Sequence, residues 1–146
     1  TGVQTCALPI FRIGVEPSSK MAKIAVSKDL KVIKGIAENL PFKDAKFDFA
    51  TMITTVCFVD DVLKSFKEVY RILKQDGFFI VGYVDKNSKL GIKYQQKSKK
   101  SRFYKNATFY STDEIIRYLK KAGFCNFDKK YVKKTDLSFK IGRASC

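Results

Sequence analysis

The chain has 146 residues, 45% of them apolar and 14% aromatic, so we expect one globular domain and exclude a largely disordered chain. Lys and Arg (29) outnumber Asp and Glu (14) for a net charge of +15, and with no His we exclude a Cys/His nucleophile and expect no metal site. No apolar run reaches the roughly 18 residues of a membrane span, and the start lacks the basic region of a signal peptide, so we expect a soluble, cytoplasmic protein.

The first predicted elements are a strand, a helix and a second strand. "FRIGVE", residues 11–16, has the apolar pattern of a short strand, and Pro17 prevents it from simply continuing. Ser18 can cap a helix whose apolar residues recur at helical spacing. "KVIKG", residues 31–35, predicts the next strand, and a loop broken by Pro41 follows.

The middle of the chain predicts the interior of a sheet. "FDFATMITTV", residues 47–56, shows little alternation, which is typical of a strand covered on both faces. Asp60 or Asp61 can cap the next helix, which we expect to extend through Leu73 to a stop at Gly77. "FFIVGYV", residues 78–84, is predicted to be another buried strand.

The last third begins with a basic stretch, residues 89–105, whose lysines are interleaved with aromatic residues. "STDE", residues 111–114, is a capping box, so a helix is expected to begin there and to end at Gly123. "FCNFDKKYV", residues 124–132, alternates as a late, outer strand does.

Strands that alternate with helices predict an α/β fold, with a Rossmann-like, mainly parallel sheet and helices on both faces. Ligands of such sheets bind beyond the carboxyl ends of the strands. Glu16 ends the first predicted strand, where a carboxylate can bind both hydroxyls of a ribose. The alternative for Glu16 is an ordinary solvated side chain.

Three segments together resemble the class I S-adenosylmethionine-dependent methyltransferases that act on small molecules: "GVEPSSKMAKIA", "KGIAENLPFKDAKFDFATMI" and "FKEVYRILKQDGFFIVG". The resemblance implies S-adenosylmethionine as the cofactor. Its ribose would be held after the first predicted strand, its adenine after the second, and its methionine end after the third. The positions that correspond to these segments are Glu16, Pro17, Ile36, Ala37, Glu38, Thr54 and Thr55.

The resemblance also implies methyl transfer to a small-molecule acceptor, a reaction that depends on alignment rather than on acid or base groups. No residue is therefore assigned as catalytic. In this family, substrate-binding insertions precede the last helix, which corresponds to Phe103, Tyr104 and Tyr110. Their rings can wall a pocket, and tyrosine faces can hold a cationic amine. Alternatively, they are core residues of an α/β layer.

The sequence departs from the family pattern at both ends. The family's first strand and Gly-rich turn should precede "FRIGVE", yet "TGVQTCALPI", residues 1–10, resembles translated sequencing adapter, as does "IGRASC", residues 141–146. We therefore expect two artefactual tails around a partial methyltransferase domain at residues 11–140. We expect this domain to lack the first strand, the Gly-rich turn and the last strand, and to be inactive by itself.

Three other functions remain open. The basic aromatic stretch, residues 89–105, is compatible with a nucleic-acid-binding module, although Lys is spread along the whole chain and this reading is the less favoured. A nicotinamide-dependent Rossmann enzyme would also use Glu16 for a ribose. The third alternative is an interaction domain without catalytic activity.

Overall fold

The computed structural model describes residues 12–131 and 137–143. The chain divides into two compact units, unit 1 (Thr1–Ile36) and unit 2 (Ala37–Cys146). The elements in chain order are β1 (Gly14–Glu16), α1 (Ser19–Val26), β2 (Val32–Lys34), β3 (Phe47–Ile53), α2 (Val62–Ile72), β4 (Leu73–Val84), α3 (Lys89–Ser98), α4 (Thr112–Ala122), β5 (Cys125–Tyr131) and β6 (Leu137–Arg143).

Unit 1 consists of β1, α1 and β2. The two strands pair in parallel, with Glu16 opposite Lys34, so their carboxyl ends lie at the same edge of the small sheet. Ser18 caps α1 as predicted, because its side chain accepts a hydrogen bond from the backbone N–H of Met21 at 3.3 Å. No residue of α1 is buried, and Met21 and Ile24 on its apolar face are exposed.

Unit 2 contains a four-stranded sheet in the order β3-β4-β6-β5. Strands β3 and β4 are parallel, whereas β6 is antiparallel to both of its neighbours. The expectation that the last strand is missing is therefore wrong. Every residue of Leu137–Arg143 pairs with β4, and Leu137, Phe139 and Ile141 alternate with other residues as in a half-buried strand. The strand crosses the boundary at residues 140 and 141 where the second tail was expected to begin.

The core of unit 2 lies between this sheet and two helices. Helices α2 and α4 pack against each other, and both contribute buried side chains to a cluster that includes alternate residues of β4. Phe66 of α2 meets Phe79 of β4 edge to face, with ring centroids 5.4 Å apart. The largest fully buried side chains in the described residues are Phe66, Phe79, Ile115, Leu119, Val56 and Val81.

Two predicted boundaries differ from the structure. Helix α2 ends at Ile72 rather than near Gly77, because Leu73 is already extended and pairs with Phe47 of β3. From this pair to the next one, Phe49 with Phe78, β3 advances by two residues and β4 by five. The extra residues of β4 form a bulge before Phe78. Gly77 permits this bulge, since a Cβ there would lie 2.9 Å from the carbonyl oxygen of Lys74.

Strand β3 was expected to be covered on both faces, but it is the outermost strand of its sheet. Ala50 and Met52 face the core, whereas Phe49 and Ile53 on the opposite face are each 43% exposed. Phe49 stacks on Phe78 of β4, with ring centroids 5.6 Å apart. The weak alternation of apolar and polar residues in this strand therefore does not correspond to burial of both of its faces.

The loop before β3 is attached to α2 by an ion-pair network. The Arg71 guanidinium contacts Glu68 at 2.8 Å and Asp44 at 2.7 Å, and it donates to the carbonyl oxygens of Leu40 and Phe42. The hydrogen bond from Arg71 lowers the pKa of the Glu68 carboxyl. This network fixes the chain between the Ala37 turn and the start of β3.

The predicted tail at residues 1–10 lies outside the described residues, as do residues 144–146 of the predicted tail 141–146. Residues 141–143 form the end of β6. The origin of both segments stays a prediction.

Candidate active site

Unit 2 has a cavity of about 130 Å³ where the parallel strands β3 and β4 end. Thr54 follows β3 directly, Val84 is the last residue of β4, and both line the cavity. Thr54 has a left-handed backbone, with φ of 54°, and its N–H donates to the carbonyl oxygen of Gly82 at 2.7 Å. The chain therefore turns sharply away from the sheet at the point where an α/β fold places its ligands.

The walls of the cavity are aromatic. The Tyr94 ring stacks on that of Tyr104 with centroids 4.9 Å apart, and Phe58 meets Phe103 edge to face at 5.2 Å. Phe103 is 70% exposed, so it lies at the entrance rather than in the core. The six aromatic residues contributed by loops and by α3 are Phe58, Tyr94, Phe103, Tyr104, Phe109 and Tyr110.

The remaining lining of the cavity includes buried Val56, Tyr83 and the free thiol of Cys57. The Cys57 Sγ donates to the carbonyl oxygen of Thr54 at 3.5 Å, and burial raises its pKa to about 11. At neutral pH this group is therefore a thiol and not a thiolate nucleophile.

Burial also raises the pKa of Tyr104, with a smaller contribution from Tyr94, and that of Tyr110, with a smaller contribution from Tyr118. These phenols remain neutral at physiological pH. Since none of the lining residues is Asp, Glu, Lys or Arg, the cavity wall carries no formal charge.

A polar network holds the cavity wall against the start of α4. Tyr83 donates through its hydroxyl to Thr112 Oγ1 at 2.8 Å, and Thr112 Oγ1 donates to Asp85 Oδ2 at 2.5 Å. The backbone N–H of Lys86 donates to the carbonyl oxygen of Tyr110 at 3.0 Å. The turn after β4 and the residues before α4 are thereby joined beside the cavity.

The capping box of α4 is the charged part of this network. Ser111 Oγ accepts from the backbone N–H of Glu114 at 3.3 Å, and Glu114 accepts from the backbone N–H of Ser111 at 2.7 Å, as predicted. Lys86 Nζ lies 2.8 Å from the Glu114 carboxylate. These hydrogen bonds, that from Lys86 first, lower the pKa of Glu114 to about 2.

Three of the predicted cofactor-binding positions belong to unit 1. Glu16 ends β1 and is half-buried, and its Oε1 accepts from the backbone N–H of Ser18 at 2.9 Å. Pro17 follows and is exposed. Ile36, two residues beyond β2, is also exposed. Glu16, the last residue of β1, and Ile36, two residues after β2, therefore both belong to the edge of the small sheet where the two strands have their carboxyl ends.

The other predicted cofactor-binding positions belong to unit 2. Ala37 packs against the core, and Glu38 Oε1 accepts from the backbone N–H groups of Asp60 at 2.8 Å and Asp61 at 3.3 Å. Glu38 therefore stabilises the loop before α2. Thr55 donates its hydroxyl to the carbonyl oxygen of Ile53 at 3.0 Å, which supports the turn after β3.

The structure brings Thr54 together with the three predicted substrate residues Phe103, Tyr104 and Tyr110 around one cavity. Thr55 is not among the lining residues. The sequence did not indicate Phe58, Tyr83 or Cys57 as cavity residues. Phe58 lies five residues after the end of β3. Its place beyond the carboxyl end of a predicted strand is the signal that could have indicated it as a cavity residue.

Residues 1–81, more than half of the chain, match the methyltransferase domain family. A crystal structure of an S-adenosylmethionine-dependent methyltransferase from Thermotoga maritima, a possible histamine N-methyltransferase, is 44% identical with a TM-score of 0.85, over 90% of this chain and 72% of that chain. An uncharacterized protein of Methanocaldococcus jannaschii is 43% identical over 130 residues, or 89% of this chain and 61% of that protein. The uncharacterized methyltransferase YcgJ of Bacillus subtilis is 37% identical over 76 residues, 47% of this chain and 30% of that protein.

The chain therefore belongs to the S-adenosylmethionine-dependent methyltransferases, as its sequence predicted, and S-adenosylmethionine is the cofactor expected of this family. It spans 61% of the Methanocaldococcus relative and 40% of relatives from Mycobacterium. None of the helices among the described residues is long and apolar enough to cross a membrane. Within the same residues there is no group of three or more His, Cys, Asp or Glu side chains that could hold a metal ion.

Proposed function

We propose that the enzyme of which this chain is a part transfers a methyl group from S-adenosylmethionine to a small molecule whose reacting end enters the cavity beyond β3 and β4, and that the 146-residue chain is inactive by itself. The observation that carries this proposal is an uncharged aromatic cavity at the carboxyl ends of two parallel strands in a chain of this family. Phe103, Tyr104 and Tyr110 would contact the acceptor. A volume of about 130 Å³ suits a compound with one ring.

The proposed cofactor positions are compatible with a nucleoside. Among the described residues no hydrogen bond uses Glu16 Oε2, so one oxygen of this half-buried carboxylate can accept from a ribose hydroxyl. The exposed apolar side chain of Ile36 follows the neighbouring strand and can cover an adenine ring. In unit 2, Ala37, Glu38, Thr54 and Thr55 stay the predicted cofactor positions. Glu38 Oε1 and the Thr54 and Thr55 hydroxyls also form hydrogen bonds within that unit.

S-adenosylmethionine supplies a methyl group on a sulfonium sulfur, and an acceptor lone pair takes it while the C–S bond electrons return to sulfur. This displacement needs alignment more than proton transfer, and alignment can lower the barrier by about 7–11 kcal/mol. The neutral Tyr104, Tyr110 and Cys57 side chains can exclude water and hold the acceptor. They are not placed to act as charged bases at neutral pH.

The test of cofactor binding is an NMR titration of the full 146-residue chain with S-adenosylhomocysteine. We expect weak binding, with a dissociation constant of about 1 mM, because Glu16 Oε2 and the exposed Ile36 side chain are the contacts that the described residues of unit 1 are proposed to offer the nucleoside. Glu16→Gln should weaken it at least fivefold, whereas Asp113→Asn, which removes an exposed carboxylate from α4 of unit 2, should leave it unchanged. Micromolar binding would refute the weak affinity and the expected inactivity, and equal binding by Glu16→Gln would refute the role of Glu16.

The alternative function is nucleic-acid binding by the basic aromatic stretch, residues 89–105. Exposed lysines and the 70% exposed Phe103 ring favour it. Its affinity for a short RNA should fall steeply with added salt, because phosphate contacts release counterions. A gel-shift measurement at two salt concentrations would exclude this alternative if no complex forms at the lower one.

A further inference from the structure

One segment supplies five of the eleven residues that line the cavity, and its charged residues are all basic. Residues 86–112 contain no Asp or Glu, so this part of the chain has no acidic side chain of its own to offset its cations. Seven Lys and Arg residues, nearly half of the net charge of +15, lie between residues 89 and 105, and all of them are exposed. They are Lys89, Lys93, Lys97, Lys99, Lys100, Arg102 and Lys105.

Some of these cations are held next to cavity-lining rings by local geometry. Lys97 follows Tyr94 by three residues on α3, and residues at this spacing are neighbours on a helix surface. Arg102 and Lys105 immediately flank Phe103 and Tyr104 in the chain. Arg102 and Lys105 are therefore next in the chain to two rings that line the cavity, and Lys97 is the helical neighbour of a third, Tyr94.

These charges are not neutralised by ion pairs in the part of the chain that the structure describes. The salt bridges there involve Arg71, Lys74 and Lys86, and none of the seven cations takes part in one. The nearest acidic residues in sequence are Asp85, which accepts hydrogen bonds within the network beside α4, and Asp113, which is exposed and takes part in none of these salt bridges. A cationic ligand would thus meet repulsion at the entrance, and an anionic ligand would be attracted.

The cavity itself admits a single ring. Its volume of about 130 Å³ is comparable to that of a cavity of about 150 Å³ that holds benzene, and its wall offers aromatic faces and no charge. We propose that the methyl acceptor is a one-ring aromatic or heteroaromatic compound with an anionic group, a carboxylate or a phosphate. The ring enters the cavity and the anion faces residues 97–105. This inference rests on the proposed function and narrows its substrate class.

The test compares three probes that share one ring and differ in charge: benzoate, benzyl alcohol and benzylamine. Binding to the full chain is measured by NMR titration without cofactor. At about 20 mM salt we expect benzoate to bind about tenfold more tightly than benzylamine, with benzyl alcohol between them. At about 0.5 M salt the ratio should approach one, because the entrance charges are then screened.

The variant Lys97→Gln/Arg102→Gln should reduce the benzoate preference at least threefold and leave benzyl alcohol binding unchanged. Lys67→Gln on α2, which removes an exposed charge from another surface of unit 2, is the matched control and should keep the preference. Tyr104→Ala should weaken all three probes. The inference is overturned if benzylamine binds as tightly as benzoate, if the double variant keeps the preference, or if Tyr104→Ala leaves all three probes unaffected.

A short RNA that displaces benzoate at far lower concentration would also overturn the inference, in favour of a nucleic-acid partner. The inference about the anionic acceptor and the proposed function can be refuted independently, because the three probes are titrated in the absence of cofactor. A benzoate preference with no S-adenosylhomocysteine binding would refute the cofactor assignment alone. Cofactor binding without that preference would refute only the anionic acceptor.

Discussion

The Glu114 carboxylate gives the sharpest test of the network that holds the cavity wall. Its pKa is about 2 against an ordinary value of 4.5, a difference equivalent to at most about 3.4 kcal/mol of folding free energy. The side chain is 32% exposed, so solvent screening reduces the expected contribution to about 1–2 kcal/mol. Because the folded-state pKa is lowered, this stabilisation is present above pH 4.5 and is lost as the pH falls towards 2.

Glu114→Gln keeps an oxygen that can accept from the backbone N–H of Ser111 but removes the charge that pairs with Lys86. We expect the free energy of unfolding at pH 7, from urea denaturation followed by circular dichroism, to fall by about 1–2 kcal/mol. The difference should disappear near pH 2. Asp113→Asn, an exposed neighbour in the same helical turn, should cost less than about 1 kcal/mol. Equal stability of Glu114→Gln at pH 7, or a difference that persists at pH 2, would refute the reasoning.

Two further substitutions test the packing of unit 2. Phe66→Ala should lower the free energy of unfolding by about 3–5 kcal/mol, since Phe66 is fully buried against Phe79; a loss below 1 kcal/mol in urea denaturation would contradict the proposed core. Gly123→Ala should cost about 1–2 kcal/mol, because φ is 108° and the new Cβ would lie 3.1 Å from the Tyr70 ring. This loss of stability is measured by thermal unfolding. An unchanged melting temperature would show that the left-handed glycine at the end of α4 is not required for stability.

Local signals in the sequence identified many of the elements. The capping box at Ser111 fixes its helix start through two reciprocal hydrogen bonds, which depend only on residues three apart. The end of α2 could not be placed the same way, because Leu73 continues the helical apolar spacing and is extended only through its pairing with β3. Strand β6 was missed for a different reason. Its alternating Leu137, Phe139 and Ile141 were divided between the expected domain, which ended at residue 140, and the expected tail.

The candidate site was partly predictable. The family resemblance pointed to Phe103, Tyr104 and Tyr110, and these residues do line one cavity with Thr54. The role of Glu38 was not predictable, because its hydrogen bonds to the chain before α2 span more than twenty residues. The positions assigned to the cofactor stay predictions.

Five of the seven aromatic residues of the cavity come from one stretch of chain, residues 94–110, and both ends of this stretch form hydrogen bonds with Lys86 in the turn after β4. The buried cluster under α2 and α4 draws on none of that stretch apart from the partly buried Tyr110 packed at its margin. Under the proposed function, substitutions in this stretch would exchange one methyl acceptor for another at little cost in folding free energy. Descendants of such a gene could therefore diversify in chemistry while the sheet beneath stays the same.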